Sequence, residues 1–469
     1  MKKPDKNKVL HYFLGFPPLH SGGLVLYVKG LIEEQQDNGY DISLMLPGEY
    51  KLGSNNSEIK LYDHYKGMPI YQIINPLPIS LSGFSTPIPF MAERSEKIFF
   101  NFLEKEKFDI MHVHSLIGFP KEFIVAANKL SIKTILTTHD YFGICPKVKL
   151  YDSENNICYD YKNGNKCIKC NKNYNSLIKQ KIIRNIMLYR KNGIFDFIIK
   201  QLSKIKKNVN FKFIKNTLSL NKKNLNVNKA LLEKKAVEFK KYRDYQIDLL
   251  NKFDLIIFNS SVTKEIFSRY IDLDNINHKI LSVSHSNIKD NRNKLNYQST
   301  FDNKIRFMFM GYLDPAKGFY NLIDNLKKIK DINNSWELNI YGDYSSVNIN
   351  KFNSDYFKFH GKYSHGDFSE MFSKNSILII PSQWKETFGF IGLEAFSYAM
   401  PILVSENVGF KDILKNKRTG LVYNNNKLID SLLEVLNRPE QLKVINENIK
   451  KEDFKYDIKN HFIKLNKYY

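Results

Sequence analysis

The sequence predicts an α/β protein made of two doubly wound, Rossmann-like parallel-sheet domains that face each other across a cleft. Short apolar runs alternate with stretches of helical periodicity, and this alternation occurs in two separate series. A polar segment that is poor in apolar residues, 287–303, lies between the two series, as expected of a linker. At 469 residues the chain is long enough for two or three domains.

The first series predicts a sheet in the N-terminal half of the chain. Each strand is a short apolar run, and each helix has apolar residues three or four positions apart. The predicted strands are 9–16, 42–46, 110–114, 133–138, 253–259 and 279–284. The predicted helices are 23–38, 122–130 and 263–270.

The second series predicts another parallel sheet in the C-terminal half. A helix is predicted at 320–329, and the last stretch, 454–469, is also predicted to be helical. The predicted strands are 305–310, 337–341, 357–360, 377–380 and 401–404. Their apolar character is typical of strands that are buried on both faces.

These patterns set the domain boundaries. The first domain is predicted at 1–290, the second at 304–452, and a C-terminal helix at 453–469 returns to the first domain. Two insertions interrupt the first domain: residues 140–172 hold all four cysteines, and residues 173–250 are basic. Apolar side chains in the basic insertion follow helical spacing at Ile178, Ile182, Ile186, Tyr189, Ile198, Leu202 and Ile205.

Composition adds limits on location and partners. No apolar stretch reaches about 18 residues, so no membrane span is predicted. The basic start, 1–6, leads into an apolar run too short for a signal peptide, which predicts a cytoplasmic protein. The net charge is +23, and residues 171–250 alone hold 20 Lys/Arg against 5 Asp/Glu, a net of +15. Base composition of the genome explains a general lysine excess but not this clustering.

Two glutamates, Glu386 and Glu394, stand eight positions apart around the start of a predicted helix. A strand precedes and follows this segment, so the pair lies at the carboxyl edge of a parallel sheet, where such sheets bind ligands. Phe388 and Gly389 lie where the helix begins, and the free N–H groups of a helix N-terminus suit a phosphate. The spacing is also common on solvated helix surfaces, but its position favours a phosphorylated, hydroxyl-rich ligand.

Three further segments occupy corresponding positions. Gly22 and Gly23 follow the first strand, where they either let the backbone approach a ligand or form an ordinary turn. His139 ends a strand and either bonds a ligand hydroxyl or phosphate or is satisfied by local backbone. Lys317 stands near a helix start in the turn 311–318, where it meets a diphosphate or is a solvated surface lysine.

The order of these four segments resembles the retaining glycosyltransferases of family 4, which have the GT-B architecture. The resemblance is clearest over residues 305–423, and it leaves out residues 173–250. The matching motifs are the turn from Gly311 to Gly318, the segment from Glu386 to Glu394, the ending Gly420-Leu421-Val422 and, more loosely, Gly22-Gly23, Asp109 to His114, His139 and Asn259-Ser260.

The resemblance implies a retaining transferase for cell-surface polysaccharide biosynthesis. Its donor would be a UDP- or GDP-linked sugar, and its acceptor a glycan or a lipid-linked glycan. The implied roles are ribose binding by Glu394, donor-sugar contact by Glu386, diphosphate binding by Lys317 and the Phe388 and Gly389 amides, backbone contacts to the base at Lys362 and Tyr363, and completion of the site by His139, Gly22 and Gly23. No catalytic metal is expected, because these groups supply the positive charge for the leaving group.

One position departs from the family pattern. The family usually has an arginine after the first glycine of the lysine turn, and here that residue is Tyr312. Tyrosine provides neither a permanent cation nor a bidentate fork for phosphate. Either another basic residue takes the role of that arginine, for which Lys385 and Arg306 are nearby candidates in the sequence, or the diphosphate is held more weakly. A non-catalytic GT-B binding or scaffold protein stays an alternative, as do a nucleotide-sugar epimerase and a glycoside phosphorylase.

The four cysteines, Cys145, Cys158, Cys167 and Cys170, follow the pattern C-x12-C-x8-C-x2-C. The closely spaced pair Cys167 and Cys170 is a suitable half-site for tetrahedral zinc. Disulfides are disfavoured in the cytoplasm. Structural zinc is therefore the leading interpretation, with free thiols, disulfides and an iron–sulfur site as alternatives. A cysteine cluster after a His-Asp-Tyr strand end also resembles a subgroup of family 4, in which it would brace the loop beside the acceptor.

The basic insertion, 173–250, combines lysines with apolar stripes. This combination favours an anionic membrane surface as partner, which would suit an enzyme that uses lipid-linked acceptors at the inner face of a membrane. A plain helical insertion is the main alternative. Nucleic acid is the third candidate and is disfavoured because no nucleic-acid motif accompanies the charge.

Overall fold

Two parallel sheets organise the chain, as the sequence predicts. The computed structural model describes residues 7–51, 53–171, 177–190, 229–345, 347–352 and 355–469. Helices cover both faces of each sheet, and a cleft separates the two α/β domains. The predicted fold class is confirmed.

The first sheet has eight strands in the order β3-β4-β2-β1-β5-β6-β7-β8. Every neighbouring pair is parallel except β3 and β4, which form an antiparallel hairpin at one edge. The strands are β1 Lys8–Tyr12, β2 Asp41–Pro47, β3 Glu58–Tyr65, β4 Met68–Ile74, β5 Ile110–Val113, β6 Lys133–Thr138, β7 Leu255–Phe258 and β8 His278–Ile280.

The second sheet has six strands in the order β11-β10-β9-β12-β13-β14, and all of its pairs are parallel. The order reverses between β9 and β12, which opens a crevice at the carboxyl ends of these strands. The strands are β9 Ile305–Met310, β10 Trp336–Tyr341, β11 Phe357–Gly361, β12 Ile377–Ile380, β13 Ile402–Ser405 and β14 Leu421–Tyr423.

The α-helices that the structure describes are numbered in chain order. They are α1 Gly23–Asp37, α2 Glu96–Glu106, α3 Lys121–Lys129, α4 Asn165–Cys170, α5 Leu177–Arg190, α6 Lys229–Leu250, α7 Ser261–Phe267, α8 Phe319–Lys330, α9 Phe368–Ser373, α10 Phe390–Phe396, α11 Leu428–Asn437, α12 Glu440–Lys451 and α13 Ile458–Leu465. None of the described helices combines the length and the apolar character that crossing a membrane requires.

Several predicted boundaries need correction. The β3–β4 hairpin was not predicted, because β3 is a half-exposed edge strand whose charged residues hide its alternation. The first strand ends at Tyr12 rather than at residue 16, since the chain turns away from the sheet before Gly15, which has a φ of 101°. The edge strand β8 is likewise shorter than predicted.

The basic insertion is helical where the structure describes it, at α5 and α6, on either side of residues 191–228. However, the second half of α6 belongs to the core of the first domain, because Phe239, Tyr242 and Leu249 are buried there. The predicted stripe of Ile198, Leu202 and Ile205 lies outside the described residues.

The C-terminal segment crosses back to the first domain. Its helix begins at Ile458 rather than at residue 454, because the side chain of Asp457 caps it by accepting from the Asn460 N–H at 2.7 Å. The helix packs on α1, where the Tyr27 hydroxyl bonds His461 Nε2 at 3.0 Å. The chain therefore passes between the domains twice, once before β9 and once before α13.

Candidate active site

A cavity of about 390 Å³ lies between the two domains, at the carboxyl edges of both sheets. It brings together most of the predicted site residues, although they are up to 371 positions apart in the chain (23 to 394). Those lining it are Gly23, His139, Lys317, Tyr363, Glu386, Phe388, Gly389 and Glu394. A larger surface groove of about 920 Å³ lies on the first domain near Glu58 and Arg94, away from these groups.

Lys317 is placed by the turn between β9 and α8. The turn closes at Gly318, whose φ is 75°, and a Cβ there would lie 1.8 Å from the carbonyl oxygen of Pro381. Only glycine allows this approach of the turn to the neighbouring loop. Lys317 Nζ then lies 2.5 Å from Glu386 Oε1 and 5.6 Å from the centre of the Trp384 ring. The ammonium group therefore makes a cation–π contact with the Trp384 ring as well as an ion pair with Glu386.

Glu386 is held by three contacts in the loop after β12. Its Oε1 accepts from Lys317, its Oε2 accepts from the Ser382 hydroxyl at 2.6 Å, and its N–H donates to the Asn407 carbonyl at 2.9 Å. The residue is 8% exposed. A carboxylate with so little exposure needs hydrogen-bonding partners, and these contacts fix its orientation at the cavity wall.

The backbone at Phe388 and Gly389 offers donors to the cavity. Helix α10 begins at Phe390 and has seven residues. Within the described residues, the N–H groups of Phe388 and Gly389 donate to no protein acceptor. Phe388, Gly389 and Lys317 line the same cavity, so that unpaired backbone donors and a cation are close together there, a combination that suits an anionic group.

Glu394 is fixed by two histidines that sequence reasoning missed. His365 Nε2 lies 3.0 Å and His285 Nε2 3.3 Å from the same carboxylate oxygen, Oε1. Burial alone would raise the pKa of Glu394, but the two histidines outweigh it and lower the pKa below its usual value. In turn, the bond to Glu394 raises the pKa of His365.

The first domain supplies the opposite wall. Gly23 begins α1, and a Cβ at this position would lie 2.7 Å from the ring of Phe390 in the second domain, so a glycine is required for the approach of the domains. His139 follows β6, and its Nε2 has no partner among the described residues. Burial, with a smaller effect of His461, lowers the pKa of His139 to about 3, so the imidazole is neutral at neutral pH.

Thr387 joins the two walls directly. Its hydroxyl donates to the His139 carbonyl at 3.1 Å, and its own carbonyl accepts from the hydroxyls of Ser260 at 2.6 Å and Thr263 at 3.1 Å. Beside it, Asp412 accepts from the Ser261 N–H and hydroxyl. These bonds hold the cleft in one arrangement around the segment between the two glutamates.

Not every predicted residue lines this cavity. Gly22 is the residue before α1 and is not among the lining residues. Lys362 lies on a neighbouring cavity with Tyr312 and pairs with Asp343 at 3.0 Å. Tyr312 lies on both cavities and is 71% exposed.

The two basic residues nearest to the site in sequence do not replace the family's arginine. Lys385 points towards Glu265, at 3.8 Å, and Arg306 pairs with Glu337 at 2.8 Å. Among the described residues that line the cavity, Lys317 is the one with a permanent positive charge. At the rim, Lys149 of the cysteine segment approaches Asp314 at 3.8 Å and the Trp384 ring at 5.9 Å.

Beneath His139, buried histidines form a layer between the first sheet and the helices that cover it. His11 Nδ1 and His114 Nε2 are 2.9 Å apart, and His112 bonds Thr137 at 2.8 Å through Nε2. His461 reaches the layer from α13. The layer shows that residues remote in sequence support His139, which no periodicity could have revealed.

The four cysteines line one small cavity beside α6, together with Arg243. Burial raises the pKa of the Cys145, Cys158 and Cys167 thiols, to about 11 for Cys158. Among the described residues, the groups of three whose ligand atoms all lie within 4.8 Å of one another are His11, His112 and His114, and His285, His365 and Glu394. The cysteine sulfurs do not form such a group, so a shared metal ion requires them to draw closer.

A family model matches the second half of the chain. Residues 290–452 match the family model of glycosyl transferases group 1. The matched segment contains Lys317, Glu386 and Glu394, and it is the second domain together with the connection that precedes it.

Two curated relatives match part of the chain. An uncharacterized 41.2 kDa protein in the cps region of Klebsiella pneumoniae is 25% identical over 200 residues, which are 41% of this chain and 54% of that protein. An uncharacterized glycosyltransferase of Methanocaldococcus jannaschii is 29% identical over 157 residues, 32% of this chain and 43% of that protein. The chain thus matches about half of these relatives or less.

Solved structures match over nearly the whole chain. HepE of Anabaena in complex with UDP superposes with a TM-score of 0.55 at 11% identity, covering 98% of this chain and 99% of that one. At this identity the likeness concerns the fold alone. It shows that both domains together have the GT-B glycosyltransferase fold.

Proposed function

We propose that the protein is a retaining glycosyltransferase that moves a sugar from a UDP- or GDP-linked donor to a glycan or glycolipid acceptor. The observation that carries this proposal is the composition of one interdomain cavity. The second domain contributes Lys317, two oriented glutamates and free backbone N–H groups, and the first domain contributes Gly23 and His139. This set suits a diphosphate attached to hydroxyl-rich groups.

The leaving group of such a transfer is a nucleoside diphosphate, which gains negative charge as the glycosidic bond breaks. Lys317 and the N–H groups of Phe388 and Gly389 would stabilise that charge, at about 3 kcal/mol for each well-placed donor. Glu386 keeps the ammonium group at the cavity through their 2.5 Å contact. Because the protein supplies these charges, no catalytic metal is expected.

His139 and Glu386 would contact the donor sugar from opposite sides. The neutral His139 has an unpartnered Nε2, which is free to bond a sugar hydroxyl. Glu386 accepts further hydrogen bonds from hydroxyl groups. In this arrangement Glu394 binds the ribose, while the backbone near Lys362 and Tyr363 borders the base.

The relatives support a role in surface polysaccharide synthesis. The Klebsiella relative belongs to a cps region, and HepE has been solved in complex with UDP-glucose. A second structural neighbour is a lipopolysaccharide outer core galactosyltransferase, with 15% identity and a TM-score of 0.52. By analogy, we propose a cell-surface glycan or glycolipid as acceptor.

One observation favours a second candidate function. Tyr312 replaces the arginine of the family pattern, and Lys317 is the one permanent cation among the described cavity-lining residues. A non-catalytic binding or scaffold protein with the same fold would tolerate this reduced charge. A nucleotide-sugar epimerase would use the same donor without an acceptor.

The deciding experiment begins with thermal shifts of the protein against a panel of UDP- and GDP-sugars. The donor that binds is then incubated with membrane glycolipid or glycan acceptors, and the anomeric configuration of the product is read by NMR. Transfer with retained configuration supports the proposal. Donor binding without transfer or hydrolysis supports the scaffold, and a changed sugar in the free nucleotide supports the epimerase.

We also propose that the cysteine cluster holds a structural zinc ion. Arg243 is 3% exposed beside the cluster, with its guanidinium 3.7 Å from the Tyr161 ring centre and 4.7 Å from that of Tyr270, and its Nη1 has no hydrogen-bond partner among the described residues. An uncompensated buried cation is costly. A zinc ion bound by four thiolates carries net negative charge and would compensate Arg243 at this place.

Metal analysis tests the zinc proposal. Protein purified without chelator should contain about one equivalent of zinc, and Cys167→Ser should lose most of it and melt at lower temperature. The chain has no other cysteines, so thiol titration before and after chelation reports on this cluster alone. Less than about half an equivalent, with an unchanged melting temperature after chelation, would contradict the proposal.

The membrane role of the basic insertion stays a proposal. Helix α5 exposes Ile178 by 72% and Ile182 by 53%, and lysines lie beside them in the sequence. Deleting 173–250 would also remove the core residues of α6, so point substitutions are the better test. Ile178→Ser with Ile182→Ser should weaken co-sedimentation with anionic vesicles by about tenfold. Ile332→Ser, equally exposed on the second domain, is the control, and equal binding of both variants contradicts the proposal.

A further inference from the structure

Glu394 has two unequal carboxylate oxygens. Its Oε1 lies within 3.0 Å of His365 Nε2 and 3.3 Å of His285 Nε2. Its Oε2 accepts no hydrogen bond from the described part of the chain. Glu394 is 6% exposed and lines the interdomain cavity. His365 therefore hydrogen-bonds one oxygen, His285 lies at ion-pair distance from the same oxygen, and the other oxygen is left for a ligand.

The tautomer of His285 follows from its second contact. The backbone N–H of Asn287 donates to His285 Nδ1 at 3.3 Å, so Nδ1 is the acceptor nitrogen. An accepting Nδ1 carries no proton, so the ring N–H is at Nε2, which lies 3.3 Å from Glu394 Oε1. The ring is fully buried, and it makes an edge-to-face contact with the Phe390 ring at 4.9 Å between ring centres. His285 has no room to turn away from the carboxylate.

The two histidines come from different parts of the chain. His365 lies just after β11 in the second domain, whereas His285 lies in the connection between β8 and β9 that joins the domains. Glu394 therefore links the donor-binding domain to the interdomain connection. Its orientation depends on the relative position of the two domains.

We infer that His285 and His365 are positioning residues that aim the free oxygen of Glu394 at a vicinal diol, and so select ribonucleotides over deoxyribonucleotides. This inference rests on the proposed function and extends it to two residues and a specificity. A carboxylate oxygen accepts from adjacent ribose hydroxyls and loses one of these bonds when the ligand lacks the 2′-hydroxyl. Without the histidines the carboxylate turns freely and the preference is lost.

Calorimetry with UDP and 2′-deoxy-UDP, and with GDP and 2′-deoxy-GDP, tests this inference. The wild-type protein should bind its ribonucleotide at least about tenfold more tightly than the deoxy form, the effect of one bond to a charged group. His365→Ala and His285→Ala should bring this ratio towards one. His365→Gln, which keeps a side-chain N–H donor, should restore part of it. A merely structural role would shift the melting temperature and leave the ratio unchanged.

His360→Ala is the matched control, since His360 lies on β11, bonds Asn339 and does not line the cavity. Its ratio should equal that of the wild type. A wild-type protein that binds the ribonucleotide and its 2′-deoxy form equally overturns this inference and leaves the proposed function intact. The inference is also overturned if the His285→Ala and His365→Ala variants are folded and keep the wild-type ratio of ribonucleotide to deoxyribonucleotide affinity. A wild-type protein that binds no nucleoside diphosphate overturns both the inference and the proposed function.

Discussion

Lys317→Met should reduce the rate of sugar transfer by about two to three orders of magnitude. Methionine is also a long, unbranched side chain, but it removes the positive charge that we assign to the leaving group, together with the cation–π contact to Trp384. Among the described residues lining the cavity, no other side chain has a permanent positive charge that could replace it. The measurement is kcat and KM for the donor that the thermal-shift panel identifies, with melting temperature as a check on folding.

Lys362→Met is the matched control for this substitution. Lys362 is a neighbour of the site in space, but its ammonium pairs with Asp343 at 3.0 Å outside the main cavity. We expect kcat to stay within about twofold of the wild type, since surface ion pairs contribute little. If Lys317→Met transfers sugar at the wild-type rate, the assignment of Lys317 to the diphosphate is wrong. Equal losses in both variants would point to a general effect of charge.

The protein should lose stability steeply as the pH falls below about 6.5, the ordinary pKa of histidine. Burial is the main cause of a lowered pKa in five histidines. It lowers the pKa of His11 and His139 to about 3 and that of His461 to about 4. The pKa values of His112 and His114 are well below the ordinary value of histidine for the same reason. The unfolded chain therefore binds more protons than the folded chain throughout this range. The stabilisation is fully present above pH 6.5.

The size of this effect follows from linkage. Each buried histidine contributes about 1.4 kcal/mol per pH unit between its two pKa values, so five of them approach about 7 kcal/mol per unit. That is comparable with the whole stability of a typical domain. Asp140 acts in the opposite direction, because burial raises its pKa to about 6 and the folded chain then takes up a proton there. His365, whose pKa is raised, also opposes the trend.

Thermal melting at half-unit intervals from pH 8 to pH 5 measures this dependence. His461→Gln should flatten the curve by about one proton, since it removes one buried imidazole but keeps a polar side chain beside Tyr27. His64→Gln, a surface substitution on β3, should leave the slope unchanged. A melting temperature that stays constant from pH 7.5 to pH 5.5 would contradict a neutral buried histidine layer.

Apolar periodicity was sufficient to predict the two parallel sheets, and the motifs were recognisable from their order in the chain. The strands at 305–310 and 377–380 are where the apolar runs place them, because central parallel strands are buried on both faces. Lys317 and Glu386 could be selected because turn glycines and strand ends mark the ligand-binding edge of such sheets. The hairpin β3–β4 was not predicted, because β3 is partly exposed and its charged residues interrupt the alternation of apolar and polar residues that marks a strand.

The contacts between residues that are remote in the chain could not be predicted and depend on how the domains pack. His285, His365 and Glu394 are up to 109 positions apart in the chain (285 to 394) and share no sequence motif. In the folded chain both histidines nevertheless lie within 3.3 Å of Glu394 Oε1. Likewise, Thr387 joins the domains and Lys317 pairs with Glu386 because the sheets face each other across the cleft. Periodicity reports the face on which a residue lies within its own element. Contacts between domains depend on how those elements pack, and that information is in the folded chain alone.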